Sequence, residues 1–365
     1  MTPATLLLEH TAAWTAEILT REMRSIGGGA AVGPSRSEGR ATYRDVLLTG
    51  TAEQLRTLGE MMPHPPLGDA RLAQAIHEAL ENARRECVTL RTPRREIILG
   101  PRTLIMGILN VTPDSFSDGG RFFSPESACE AGLRMVQEGA DMLDIGGEST
   151  RPGSDPVPQD EELRRVIPVI RGLASRTDVP LSIDTMKSAV ARAALAEGAE
   201  IVNDVSSLAF DHVMGEVVAA AKAAVILMHM RGSPKTMQTG DLAYRSLYGE
   251  VIGYLRCRIA TARSWGIDPD RIMVDPGLGF GKTAADNLRL IRHMQELAVL
   301  GRPIVTGASR KSFIGHVTGG TPGQRIEGTA AAITVAILSG SRVVRVHDVA
   351  AMRKVAAMAD ALRTA

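Results

Sequence analysis

Leu181-Ser-Ile-Asp-Thr-Met-Lys-Ser-Ala-Val-Ala-Arg-Ala-Ala-Leu-Ala-Glu-Gly-Ala-Glu-Ile-Val-Asn-Asp204 decides the fold. A short apolar run, Leu181–Ile183, ends in Asp184. A helical segment follows and is closed by Gly198, where a left-handed residue ends a helix at least cost. A second apolar run, Ile201–Val202, ends in Asn203-Asp204. Outward from this stretch the same unit recurs. Runs rich in β-branched residues occupy Leu104–Leu109, Met142–Ile145, Val225–Met228, Ile272–Val274, Ile304–Val305 and Val343–Val346. The segments between them have helical spacing. Leu163, Val166, Ile167, Ile170 and Leu173 share one helix face, as do Val349, Met352, Val355, Ala359 and Leu362. Gly139, Gly266, Gly301 and Gly340 stop helices before a strand. Eight successive strand–helix units without a Rossmann glycine fingerprint imply a closed (β/α)8 TIM barrel rather than a doubly wound open sheet.

The barrel accounts for residues 96–365. Residues 1–95 are expected to form an additional small N-terminal α/β domain, joined through the basic, proline-containing stretch Arg91-Thr-Pro-Arg-Arg95. Its expected elements are a helix over Thr11–Ser25 stopped by Gly27-Gly28-Gly29, a strand over Tyr43–Leu48, and helices over Ala52–Met62 and Asp69–Arg85. Trp14 and Ile18 would form one apolar face, and Leu72, Ile76, Leu80 and Ala83 another. Glu96–Leu99 is expected to pair with Arg102–Thr103 as a hairpin under the barrel.

Composition excludes several classes. Lys+Arg number 42 and Asp+Glu 41, so neither a nucleic-acid surface nor a membrane surface is expected. The hydrophobic fraction of 44% and charged fraction of 23% suit a globular chain with a sizeable core. Cys87, Cys129 and Cys257 are odd in number and fit no metal spacing, which implies free thiols in the cytoplasm. The Met1–Trp14 stretch lacks a basic lead and carries Glu9 and His10, so it makes a poor signal peptide.

In a barrel of this kind the active site lies at the C-terminal strand ends. Here those ends carry Asn110, Gly146-Gly-Glu-Ser-Thr-Arg-Pro-Gly153, Asp184, Asn203-Asp204, His229, Asp275, Ser309-Arg-Lys-Ser312, Arg345 and His347. One polar strand end is usually a helix cap. Eight converging at one rim are not explained that way. The cations Arg121, Arg151, Arg310, Lys311 and Arg345, with His347, belong to units 1, 2, 7 and 8. Asp184, Asn203 and Asp275 belong to units 3, 4 and 6. An anion-binding rim beside an acceptor-lined pocket suits an aminated heterocycle carrying phosphate. Two other patterns fall short. Asp275-Pro-Gly-Leu-Gly-Phe-Gly-Lys-Thr283 resembles a P-loop, but Pro276 stands where that motif needs glycine. His229, His316 and His347 lack partners at zinc-ligand spacing.

Gly107-Ile-Leu-Asn-Val-Thr-Pro-Asp-Ser-Phe-Ser-Asp-Gly-Gly120 resembles the first signature of the dihydropteroate synthase family, and Asp144-Ile-Gly-Gly-Glu-Ser-Thr-Arg-Pro-Gly153 the second. Ser182-Ile-Asp-Thr185, Asn203-Asp204, Asp275–Lys282, Ser309-Arg-Lys-Ser312 and Arg345-Val-His-Asp348 follow in family order. The resemblance covers 96–365 and says nothing of the first 95 residues. It implies condensation of 6-hydroxymethyl-7,8-dihydropterin pyrophosphate with p-aminobenzoate. It implies Asp184, Asn203, Asp275, Lys311 and Arg345 as pterin-binding residues. Asn110, as a ligand to Mg²⁺, and Asp118, Arg151, Lys311, Arg345 and His347 would act on the reaction. Phe116, Thr150, Arg151, Pro152, Phe280 and Ser312 would take p-aminobenzoate. The expected partners are these small molecules and a second copy of the chain. Leu278, where many members have an aromatic residue, and Ser188, where proline is common, depart from the family pattern. The alternatives are a non-catalytic pterin-binding paralogue and a methyltetrahydrofolate:corrinoid methyltransferase; Ser309–Ser312 and the pyrophosphate pocket weigh against the latter.

Overall fold

The computed structural model describes residues 3–39, 41–112, 124–151 and 153–365. It divides into two compact units, Met1–Arg85 and Glu86–Ala365.

In the first unit, strands β1 (Pro3–Ala12), β2 (Gly29–Val32), β3 (Arg36–Glu38) and β4 (Ala41–Thr51) form an antiparallel sheet around β4. Helices α1 (Ala13–Ser25), α2 (Ala52–Met61) and α3 (Ala70–Ala83) accompany it. Alternation along β4 buries Val46 and Leu48 with Ala16, Leu19 and Met23 of α1, Leu55 and Leu58 of α2, and Ile76 of α3. Thr51 ends β4 and starts α2 as a capping box: its Oγ1 accepts from Gln54 N and its N–H donates to Gln54 Oε1. The expected helix from Thr11 starts instead at Ala13, because Pro3–Ala12 pairs with β4. The leucine run Leu6-Leu-Leu8 lacks the alternation that marks a half-buried strand, so sequence periodicity missed it. Trp14 lies on the solvent side of α1, 56% exposed, and Ala16, Leu19 and Met23 are its buried face instead.

The second unit begins with an antiparallel hairpin, β5 (Val88–Arg91) and β6 (Glu96–Leu99). This corrects two expectations. Glu96–Leu99 pairs with residues before it, not with Arg102–Thr103, and the unit boundary falls after Arg85 rather than Arg95. The reason is burial. Leu90 and Leu99 are fully buried and pack with Leu104, Met106, Met142, Ile201, Met273 and Val343 at the lower end of the barrel. Arg95 and Thr92 also bind Glu200, at 2.7 and 2.6 Å.

Eight parallel strands follow: β7 (Leu104–Asn110), β8 (Met142–Gly146), β9 (Leu181–Asp184), β10 (Ile201–Asp204), β11 (Ala224–Met228), β12 (Ile272–Asp275), β13 (Val305–Thr306) and β14 (Val343–Val346). Each pairs with its neighbour in sequence, and β14 returns to β7. The remaining gap closes by a parallel bridge between Val274 and Ile304, with Val274 N donating to Pro303 O at 2.9 Å. The outer helices are α4 (Pro125–Gln137), α5 (Gln159–Ala174), α6 (Ser188–Ala196), α7 (Met214–Ala220), α8 (Leu247–Ser264), α9 (Ala284–Arg292), α10 (Ser312–Thr318), α11 (Ile326–Leu338) and α12 (Val349–Thr364). Odd and even strand positions go to different cores. Ile105, Leu143, Ile183, Val202 and Val225 meet the helices, whereas Leu104, Met106, Met142, Ile201 and Ile226 fill the barrel. The last turn of α12 departs from expectation, since Leu362 is exposed.

No helix among the described residues is long and apolar enough to cross a membrane.

Candidate active site

The alternation that fills the lower barrel with apolar side chains carries polar ones inward above them. Two residues on from Met142 is Asp144. Asp184 ends β9, Asn203 lies two past Ile201, Asp275 two past Met273, and Arg345 two past Val343. Asn110, Gly146, Asp184 and Asn203 are successive partners across β7, β8, β9 and β10. Register therefore assembles the site before any loop is considered.

Arg345 is the hub. Its Nε donates to Asp144 Oδ2 at 2.6 Å and its Nη2 to Asp184 Oδ2 at 2.7 Å. Asn203 Nδ2 adds a second bond to Asp144 Oδ2 at 2.9 Å. Burial opposes the Arg345 charge, but the two carboxylates hold it firmly protonated. The other oxygens, Asp144 Oδ1 and Asp184 Oδ1, are buried with no partner among the described residues. Buried acceptors of this kind wait for donors. Burial pushes the Asp184 carboxyl up to about 7; Arg345 works against this, and Asp144, Glu162 and Asp204 add to it.

On the opposite side, Asp275 Oδ1 accepts from Gly277 N at 2.6 Å. Burial raises this carboxyl, with Lys311 the main opposing charge. Lys311 Nζ donates to Leu278 O and lies 4.6 Å from the Phe280 ring centroid. Burial lowers its pKa to about 8. Phe280 packs with Val205, Met228 and Met237, beside Met186 and Met230. This is an apolar wall that can take a flat ring. Gly277 is required here. At φ +67° its backbone passes over His229, and a Cβ would come within 1.9 Å of the His229 carbonyl oxygen.

The loops after β13 and β14 form the cationic side. His347 is flanked by Arg345, Arg310 and Arg151, with Asp348 the opposing charge; burial first, then these arginines, lowers its pKa to about 4. Arg310 is tied to Asp348 by Nε at 2.9 Å and by a second, shorter bond from Nη2. Thr150 and Arg151 lie on the loop after β8, with Arg151 exposed. Ser312 is the exposed first residue of α10. That helix has only seven residues, so its dipole adds little to whatever Ser312 holds. Phe116, Asp118, Arg121 and Pro152 lie outside the described residues.

Structure adds groups to which the sequence assigned no role. Asp144 is fully buried at the centre; its parity with Gly146 was the available signal. Lys282, also buried, donates to His229 Nδ1 at 2.8 Å, Gly277 O at 3.0 Å and Phe280 O at 3.1 Å. It pins the loop whose Leu278 carbonyl receives Lys311. Burial brings Lys282 down to about 7 and His229 down to about 2, so His229 accepts from the ammonium as a neutral ring. Lys187 bonds Glu148 and, at 2.5 Å, Glu162, anchoring the loop after β8 to α5. By contrast Asp204 faces outward. It accepts from Ser206 N, Ser206 Oγ and Leu208 N and shapes its own turn.

Among the described residues no group of three or more His, Cys, Asp or Glu could hold a metal ion. Mg²⁺ does not need one when it is bound mainly by water and substrate phosphates with one or two protein oxygens. Asn110, half-buried at the mouth, supplies one amide oxygen on the rim that also carries the cations, so it fits that requirement.

The model of the family described as pterin binding enzyme matches residues 106–347. A dihydropteroate synthase of Synechocystis sp. is 48% identical over 264 residues, covering 72% of this chain and 91% of that protein. A probable bifunctional folylpolyglutamate synthase/dihydropteroate synthase of Haloferax volcanii is 40% identical over 343 residues. That match takes in 92% of this chain and 40% of the longer protein, and so runs well into the first 85 residues. Among solved structures, a Xanthomonas albilineans dihydropteroate synthase with 4-aminobenzoic acid aligns with TM-score 0.71 and 46% identity, covering 76% of this chain and 99% of that one. A Burkholderia cenocepacia dihydropteroate synthase complexed with 7,8-dihydropteroate aligns with TM-score 0.68 and 42% identity, covering 76% of this chain and 97% of that one.

Proposed function

The chain belongs to the pterin binding enzyme family, and from that premise we propose how its barrel mouth performs the family's synthase reaction. The enzyme is a transferase of folate biosynthesis. It condenses 6-hydroxymethyl-7,8-dihydropterin pyrophosphate with p-aminobenzoate, giving 7,8-dihydropteroate and pyrophosphate.

The observation that carries the division of labour is the pair of unpartnered oxygens, Asp144 Oδ1 and Asp184 Oδ1, on either side of Arg345. They accept from the N–H groups of the pterin, with Asn203 beside them and Asp275 at the ring's amino edge. Lys311 faces the same ring from its Leu278 anchor. The Arg345 guanidinium, held flat by two carboxylates, stacks on the pterin and turns its charge toward the pyrophosphate. Arg151 and His347 complete the anion pocket. Asn110 would hold Mg²⁺ there, which when bound neutralises charge on the leaving group. Phe280, Thr150, Arg151 and Ser312 receive p-aminobenzoate.

The pterin CH2–O bond breaks with its electron pair leaving on pyrophosphate. The electron-rich ring stabilises the carbon cation, and the p-aminobenzoate nitrogen donates its lone pair to form the C–N bond and sheds a proton. The residues named above orient, desolvate and balance charge; none forms a covalent bond.

We also read the protein as a homodimer in the cytoplasm. Exposed Val335 and Leu338 on α11 and Met358 and Leu362 on α12 support the first. Three unbridged cysteines support the second.

The test is pyrophosphate release that requires both substrates. EDTA should abolish it and weaken binding of the pterin pyrophosphate, leaving the bare pterin bound as before. Equal loss for both ligands would overturn the placement of Mg²⁺ at Asn110. Sedimentation of a monomer would overturn the dimer.

A further inference from the structure

Ser309 belongs to the loop after β13 and is 6% exposed. Its Oγ accepts the backbone N–H of His347 at 3.2 Å and lies 3.0 Å from His347 Nδ1. A hydroxyl has two lone pairs and one proton. One lone pair is taken by the His347 backbone. Either the Ser309 proton goes to Nδ1, or Nδ1–H donates to the second lone pair. In the second case the hydroxyl proton is left without an acceptor among the described residues, where Ser309 Oγ bonds only to His347. In the first case both Ser309 Oγ and His347 Nδ1 are satisfied, and the ring's proton is carried on Nε2 of a half-buried side chain.

We infer that Ser309 is a positioning residue that fixes His347 as its Nε2–H tautomer, so that an N–H donor rather than a lone pair is presented to the departing pyrophosphate. The inference rests on the reading of His347 as part of the anion pocket. It matters because His347 is neutral. Burial first, and then Arg345, Arg310 and Arg151 around it, disfavour its charged form, with Asp348 opposing them. A neutral imidazole helps an anion only through the proton it carries. Turned to its other tautomer, the same ring would set a lone pair against phosphate oxygens. The side chain that chooses the tautomer therefore decides whether His347 attracts or repels the leaving group, without touching it.

The test uses the full chain labelled with 15N-histidine at pH 7.5, with the His347 signals assigned by their loss in His347→Gln. Two-bond 1H–15N spectra should show Nε2 protonated in the wild type and both tautomers populated in Ser309→Ala. Inhibition by pyrophosphate should weaken about tenfold in Ser309→Ala, the worth of one charge-assisted hydrogen bond. The affinity for bare pterin should not change, and Ser309→Thr should restore pyrophosphate binding. A wild-type Nδ1–H tautomer would overturn the inference even if Ser309→Ala failed to fold. So would Ser309→Ala binding pyrophosphate normally while His347→Gln does not. Normal pyrophosphate binding by His347→Gln would instead overturn the reading of the pocket on which the inference stands.

Discussion

Asp144→Asn separates the charge of the central carboxylate from its shape. Both bonds to Asp144, from Arg345 Nε and Asn203 Nδ2, fall on Oδ2. An asparagine can keep them by placing its oxygen there, which puts its amide nitrogen where Oδ1 stands. Losing the charge beside Arg345 removes roughly 4 kcal/mol of attraction at an effective dielectric of about 20 and a separation of about 4 Å. About half of this returns, because Asp144 and Asp184 repel one another and Asp184 still pairs with Arg345. The expected loss of stability is therefore about 2 kcal/mol. Asp144→Ala, which strips the buried arginine of one partner outright, should lose about 3–5 kcal/mol. The pterin meets a donor where it met an acceptor. An unpaired buried polar group costs roughly 1–3 kcal/mol, and about 2 kcal/mol corresponds to about 30-fold weaker binding. Urea unfolding and calorimetric titration with bare pterin measure the two quantities. A folded Asp144→Asn protein that binds pterin within about threefold of the wild type would refute the reasoning, because Oδ1 could not then face the ring.

Asp184 has a raised carboxyl, at about 7, so it holds a proton below that pH and must lose it to accept pterin N–H groups. Pterin affinity should be full above about pH 8 and fall up to about tenfold per pH unit below 7; an affinity constant from pH 8 to 5.5 would refute this. His229 behaves in the opposite sense. Its folded pKa of about 2 lies below the usual imidazole value, so as pH falls the unfolded chain takes the proton first. Its contribution to stability is complete above the unfolded pKa and is lost as pH falls toward the folded one. Wild type should therefore lose about 1.4 kcal/mol per pH unit more than His229→Asn between pH 6 and 4, and parallel urea midpoints would refute the neutral assignment. Two truncations test the unit boundary. A chain starting at Glu86 should fold and release pyrophosphate. One starting at Glu96 lacks β5 and Leu90, and should lose at least about 2–4 kcal/mol for the missing core leucine alone. Equal melting temperatures would show that the hairpin does not close the barrel, and an inactive but folded Glu86 chain would assign the first unit to the site.

The sequence by itself determined the barrel and most of its rim. Short β-branched runs such as Val343–Val346 and glycine stops such as Gly198 are local signals, and local signals survive in a linear reading. They set how many strands there are and which polar residues end them. The motifs supplied the chemistry at Asp184, Asn203, Asp275, Lys311, Arg345 and His347. Tertiary structure decided what depends on neighbours distant in the chain. Asn203 and Asp204 are adjacent and similar, yet only Asn203 points into the barrel, because Ile201 two places earlier is packed there. Asp144 became central because β8 and β14 flank β7 on either side, which brings Asp144 within reach of Arg345, and Arg345 needs a second carboxylate. The pairing of Glu96–Leu99 was misread because burial of Leu90 and Leu99 beneath the strands, not turn chemistry, selects the partner. Pro3–Ala12 was missed for the same kind of reason: its strand character comes from β4, some forty residues away in the chain. Propensity is a property of a segment, whereas pairing, burial and charge balance belong to the segments that meet it in space.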